Sequence, residues 1–73
     1  MTTDRFLQII GSNVAYERKK IHITQAELAK FARSTQAKIS RVERGDLNLS
    51  VTYLARIAAA LGVSPGNLLE KRY

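Results

Sequence analysis

The 73-residue chain has no cysteine, no tryptophan, one proline and one histidine. Without cysteine, neither a disulfide framework nor a thiolate metal site can form, which fits a reducing compartment. No apolar run approaches the roughly 20 residues that a membrane-spanning helix needs, and no signal-peptide segment opens the chain. A soluble, cytoplasmic protein without membrane contact is therefore expected. The sequence also lacks paired inward carboxylates, a Ser/His/Asp set, a glycine-rich phosphate loop and zinc-ligand spacing. The lone His22 reads as a loop residue, and Glu27 is better explained by helix capping than by acid–base work. No catalytic residue, metal, cofactor or small-molecule ligand is expected, and the chain does not read as an enzyme. Its length allows one domain spanning residues 1–73. So short a chain buries only about 60% of its unfolded surface, so dimerisation would add stability.

Acidic residues are scarce as well: six against twelve basic ones, a net charge of +6. Between Arg18 and Arg44 lie eight basic residues (Arg18, Lys19, Lys20, Lys30, Arg33, Lys38, Arg41, Arg44) against Glu27 and Glu43, which accounts for the whole +6. The remainder balances at four against four. A localised positive field suits a polyanionic partner, although a solvated basic face gives the same charge count. Anionic lipid is the weaker candidate, because no basic amphipathic helix carries a wide aromatic or leucine face.

Periodicity and punctuation predict five helices and no strand. Phe6, Ile10 and Val14 recur at i+4 along a first helix from about Asp4 to Lys20, with Phe6 in the core. Thr24 and Glu27 form a capping box that opens a second helix, through Leu28 and Ala29 to about Ala32. Thr35 caps a third, with Ile39 and Val42 inward and Gly45 as its stop. Ser50 caps a fourth, whose buried stripe is Val51, Leu54, Ile57, Ala58 and Leu61, and Gly62 ends it. Ser64 and Pro65 open a short fifth helix carrying Leu68 and Leu69. Phe31, Tyr16 and Tyr53 fall partly off these stripes and are expected at the surface. The class is all-α.

Helices two and three are joined by only Arg33, Ser34 and Thr35, so they must cross steeply, with the small Ala29 at the contact. That is a helix-turn-helix arrangement, spanning about residues 24–44, although a generic helical hairpin uses similar spacing. With Ile39 and Val42 inward, 100° steps point Ala37, Ser40, Arg41 and Arg44 outward, with Lys38 on the flank and Gln36 at the exposed end. Small, amide and cationic side chains suit the major groove, where amides and guanidinium groups read base edges. The N-termini of helices two and four offer backbone N–H groups to phosphates.

Three segments, T-Q-A-E-L-A (Thr24 to Ala29), I-S-R-V-E-R-G (Ile39 to Gly45) and I-A-A-A-L-G-V-S (Ile57 to Ser64), make the chain resemble the Cro-like and phage-repressor-like helix-turn-helix regulators. The resemblance runs from about Ile10 to Leu69. It implies a five-helix, lambda-repressor-like DNA-binding domain with the third helix reading double-stranded DNA, in a bacterial or phage-encoded, nucleoid-associated protein. The base-reading set it implies is Thr35, Gln36, Ala37, Lys38 and Arg41. The phosphate set is Thr24, Gln25, Arg33, Arg44, Asn48 and Ser50. It also implies that Glu43, on the inward half of helix three, pairs with Arg18 as a structural ion pair, with Glu17 as a competitor for the arginine. Chain length and Asn48-Leu49-Ser50 are similar to the controller proteins of restriction–modification operons. Four positions depart from the family pattern. His22 and Arg33 stand where glycine is usual, Glu17 where an apolar residue is common, and Leu49 where proline is frequent. The left-handed turn expected at Arg33 should cost roughly 1 kcal/mol.

Two readings follow. In the first, a homodimeric transcriptional regulator binds a palindromic operator. In the second, a module of the same fold, such as an antitoxin subunit or coactivator domain, binds protein, and DNA contact is secondary. Leu49, Tyr53, Val63, Leu68 and Leu69 are the expected dimer interface. The alternative is that both C-terminal leucines close a monomer's core.

Overall fold

Four α-helices and a 3-10 turn follow one another along the described residues: α1 Thr2–Lys20, α2 Gln25–Phe31, α3 Gln36–Arg44, α4 Val51–Leu61, and the turn Pro65–Leu68. The computed structural model describes residues 2–71, and their side chains from residue 5 onward. No strand occurs among the described residues.

Local chemistry sets most helix starts and every α-helix end. At α2 the Glu27 N–H donates to Thr24 Oγ1 (3.0 Å), and the Thr24 N–H donates to Glu27 Oε1 (2.8 Å), closing the capping box. Thr35 and Ser50 cap α3 and α4 by accepting from the Lys38 and Tyr53 N–H groups. All four α-helices stop on a left-handed residue: His22 (φ 60°), Arg33 (φ 56°), Gly45 (φ 77°) and Gly62 (φ 76°). Each of these donates back to a carbonyl three residues earlier, and the next residue donates to one five earlier, as Asp46 does to Arg41. This double bond pattern satisfies the last helical carbonyls. Two of the four stops therefore carry a side chain where glycine would be free of strain.

The buried face is continuous. Ile10 and Val14 of α1, Leu28 and Ala29 of α2, Ile39 and Val42 of α3, and Leu54, Ile57, Ala58 and Leu61 of α4 meet in one core. Ala29 is buried in this core. The tightest approach lies between α1 and α3. A methyl group on Gly11 would run into the Val42 carbonyl oxygen and come within 2.8 Å of the Glu43 carbonyl oxygen. Further along, Gly45 sits over Gln8, where an added Cβ would lie 3.0 Å from the Gln8 Cα. The backbone of α3 thus rests directly on α1.

Asn13 is a buried polar residue with a structural task. Its amide donates to the carbonyls of Leu68 (3.0 Å) and Glu70 (2.7 Å), fastening the C-terminal segment to α1.

Four expectations are corrected. The fifth helix is a four-residue 3-10 turn: Pro65 starts it, but only one turn precedes Leu69. Phe6 is 46% exposed, because it lies a turn beyond the part of α1 that the core covers. Val51, the first residue of α4, is 85% exposed, since the stripe is covered only from Leu54 onward. Tyr53 is buried rather than at the surface, its ring covered by the cations of Lys38 and Arg56.

In an ordinary helix interior, Gly→Ala gains up to about 1 kcal/mol. At Gly11 the new methyl meets backbone that cannot rotate away, so Gly11→Ala is expected to cost about 1–3 kcal/mol. Gly66, with nothing nearer than Ser64 Oγ at 3.9 Å, should tolerate alanine within about 0.5 kcal/mol. Urea unfolding of the two variants checks this, and a Gly11→Ala protein as stable as the wild type contradicts the close crossing.

Candidate nucleic-acid interface

The site is assembled around one ion pair. Arg18, at the end of α1, donates from Nε to Glu43 Oε2 (2.7 Å) and from Nη2 to Glu43 Oε1 (3.1 Å), a bidentate pair. Its Nη1 donates to the Ile23 carbonyl at 2.9 Å. Gln25, the first residue of α2, adds an amide hydrogen bond to the same Glu43 Oε1 at 3.0 Å. The end of α1, the loop, the start of α2 and the inner side of α3 are joined at a single carboxylate. The two charged side chains are only 12% and 9% exposed, so the carboxylate needs these donors. The hydrogen bond to Glu43 raises the Arg18 guanidinium above its ordinary value, against the opposing effect of burial. Glu43 is thus the carboxylate that pairs with Arg18 in bidentate fashion.

A second brace holds the turn between α2 and α3. Arg56 of α4 donates from Nε to the Ala32 carbonyl and from Nη2 to the Arg33 carbonyl, both at 3.1 Å. These carbonyls flank the left-handed Arg33. Tyr53 and Ser34 share a hydrogen bond between their hydroxyls. The guanidinium of Arg56 lies 5.2 Å from the centre of the Tyr53 ring, and Lys38 Nζ lies 4.6 Å from it. Sequence reading missed Arg56. Its signal was the three-residue spacing from Tyr53, which puts both on one face of α4.

Gln36, Ala37, Lys38, Arg41 and Arg44 on α3 are exposed, as is Thr35 ahead of it, while Ile39 and Val42 turn inward. This face is polar and cationic along its length. Arg41 and Arg44 are both held by Asp46, and Arg44 also donates to Ser40 Oγ. Lys38 folds back over Tyr53. Thr24 and Ser50 are spent as caps, and Gln25 has its Nε2 on Glu43. Asn48 and Arg33 are exposed.

The expected dimer residues divide. Leu68 is fully buried, because the 3-10 turn directs it into the core, and Tyr53 is committed to the brace, so neither is available to a partner. Val63 is half buried against the core. Leu49 and Leu69 instead line an apolar groove of about 440 Å³ with Phe6, Leu7, Val51 and Leu54. Among the described residues, no charged side chain lines this groove.

The ion pair can be tested by a double-mutant cycle. Glu43→Ala leaves Arg18 largely buried without its partner and should cost about 3–5 kcal/mol. Arg18→Ala with Glu43→Ala should lose less than the sum of the single losses. Additive losses in urea titrations would mean that the pair does not form.

The chain matches the helix-turn-helix family over residues 14–68. It is 39% identical over 57 residues to the uncharacterized HTH-type transcriptional regulator y4dJ of Sinorhizobium fredii, covering 78% of this chain and 74% of the relative. Among solved structures, it is similar to the restriction-modification controller protein C.AhdI from Aeromonas hydrophila. That match has a TM-score of 0.87 and 25% identity, and covers 93% of this chain and 99% of the other. The P22 c2 repressor, solved in complex with a synthetic operator, aligns with a TM-score of 0.80 and 32% identity, over 86% of this chain and 96% of the repressor. The chain thus belongs to the Cro/C1-like helix-turn-helix family of DNA-binding transcriptional regulators.

Proposed function

We propose that the protein binds a palindromic double-stranded operator as a homodimer, each copy laying α3 in the major groove. The observation that carries this reading is the outward face of α3. It presents an amide, a small residue and two guanidinium groups, with no bulky apolar side chain, and it is held rigidly on α1 by Gly11 and Glu43. Arg41 and Gln36 read base edges, with Thr35, Ala37 and Lys38 beside them. Arg33, Arg44 and Asn48 lie toward phosphates, as do the capped starts of α2 and α4 with Thr24, Gln25 and Ser50. Gln25 uses one amide hydrogen to hold Glu43 and has the other for phosphate.

One reading helix touches too few base pairs to single out a site among a genome's competitors. Two copies related by a two-fold axis read half-sites one turn apart, about 34 Å. The apolar groove is the surface we assign to the dimer. Each copy carries a net +6, so the contact must form where charge is absent. The same groove also favours a second reading, in which the fold serves as an antitoxin subunit or coactivator domain and the groove receives another protein.

Binding measurements separate the two. For an operator-binding dimer with roughly 6–10 phosphate contacts, affinity should fall ~10³–10⁵-fold between 50 and 200 mM salt. Arg41→Ala should cost about 1–3 kcal/mol on the preferred site and relax preference at one base pair, while Gln25→Ala weakens every sequence alike. A flat salt titration, or equal losses on specific and random duplexes for Arg41→Ala, would favour the protein-binding module.

Sedimentation tests the groove. Wild type is expected to be dimeric at tens of micromolar, and Leu69→Asp to be a folded monomer with weakened operator binding. A dimer that survives Leu69→Asp would place the contact elsewhere.

A further inference from the structure

Arg41 and Arg44 on α3 converge on one carboxylate. Asp46 Oδ1 accepts from Arg41 Nε at 3.2 Å, and the Asp46 backbone carbonyl accepts from Arg41 Nη2 at 2.9 Å. On the other side, Asp46 Oδ2 accepts from Arg44 Nε at 3.4 Å. The Asp46 N–H closes the helix stop on the Arg41 carbonyl at 3.1 Å, so the backbone fixes where the carboxylate stands.

Nothing in stability explains this residue. A carboxylate at a helix C-terminus faces the negative end of the helix dipole. The ion pairs are exposed, with Arg41 and Asp46 each 51% accessible, and exposed pairs hold little folding energy. A negative charge on a face that meets phosphates also opposes binding. Its geometry nevertheless has a clear effect on Arg41. A guanidinium presents hydrogens along two useful edges, one made by Nε and Nη2, the other by Nη1 and Nη2. Asp46 occupies the first edge. The second stays open, with two parallel N–H groups, and it is the edge that matches O6 and N7 of guanine.

The geometry assigns to Asp46 the role of positioning residue for sequence discrimination, an assignment that rests on α3 being the reading helix. Asp46 holds Arg41 as a fixed fork aimed at a guanine edge. It also occupies the hydrogens with which Arg41 and Arg44 would grip phosphates of any sequence. The carboxylate thus lowers affinity for random DNA and raises the difference between the preferred site and the rest. Fixing a donor pair before contact reduces the ordering cost of the specific complex, while random phosphates gain nothing from it.

The test starts by selecting the preferred duplex from a randomised library with the wild-type protein. Dissociation constants are then measured on that duplex and on a scrambled one for wild type, Asp46→Ala, Asp46→Asn, Arg41→Ala and the Arg41→Ala, Asp46→Ala double variant. For Asp46→Ala, affinity for the scrambled duplex should rise a few-fold, and the ratio of preferred to scrambled affinity should fall about tenfold, the discrimination of one bidentate contact. The salt dependence on scrambled DNA should steepen as the two arginines are released. Asp46→Asn should fall between. In the Arg41→Ala background, removing Asp46 should leave the ratio unchanged, because there is no fork to aim. An Asp46→Ala protein that keeps the wild-type ratio overturns the assignment and leaves the reading helix in place. So does one that weakens on both duplexes equally while melting lower, since that marks a purely structural residue. A wild type that selects no sequence overturns the base-reading role of α3 itself, and the assignment with it.

Discussion

The arrangement of α3 depends on the Glu43 carboxylate. It sits on the inner side of that helix, nearly out of water, and receives two hydrogen bonds from Arg18 and one from Gln25. Burying a carboxylate is costly unless its lone pairs are filled, so the donors must arrive together. They come from different elements, the end of α1 and the start of α2, and Arg18 also holds the carbonyl of the loop between them. An apolar contact would leave α3 free to slide or rotate. A bidentate pair has a narrow geometry, and it sets the rotation of α3 about its own axis. The Gly11 crossing sets the distance from α1.

The turn before α3 is held from the other side. Arg33 stands at a left-handed position where glycine would be free of strain, and the strain of a side chain at φ 56° has to be absorbed by its surroundings. Arg56 draws both neighbouring carbonyls toward α4, and Tyr53 fixes Ser34 in the same turn. The turn gains a positive side chain beside the basic face without losing its shape. Tyr53 and Lys38 thereby become part of the scaffold of the site.

Much of this was legible in the sequence, because caps and stops are local. Thr24 with Glu27, Thr35, Ser50, Gly45 and Gly62 act on residues within five positions, and the helices between them lie where those residues put them. Depth was less legible. A helical stripe gives the direction a side chain points but not how far the core extends, so Phe6 and Val51 belong to the stripe and still face solvent. Tyr53, off the stripe, is covered by Lys38 from α3 and by Arg56 from its own helix, and its hydroxyl meets Ser34. The contacts of Arg56 with residues 32 and 33 span 24 and 23 positions, and the spacing from Tyr53 gives the face of α4 it occupies but not these partners. The fifth helix failed for a related reason: Ser64 and Pro65 mark a start, but four residues complete only a 3-10 turn.

The bond from Asn13 to the carbonyls of Leu68 and Glu70 bears on how the molecule assembles and opens. It joins positions 55 and 57 residues apart, in a fold whose caps are otherwise local. Contacts of long sequence separation carry the larger loop-closure cost, which places the docking of this tail after the helix-turn-helix has formed. Read in reverse, a tail fastened by the Asn13 amide and the buried Leu68 is expected to open at a lower free energy than the core helices. Pro65 and Leu69 form one wall of the apolar groove and leave with it. A molecule that binds against Pro65 and Leu69 would favour the docked tail, so its binding and the closing of the C-terminal segment would be linked.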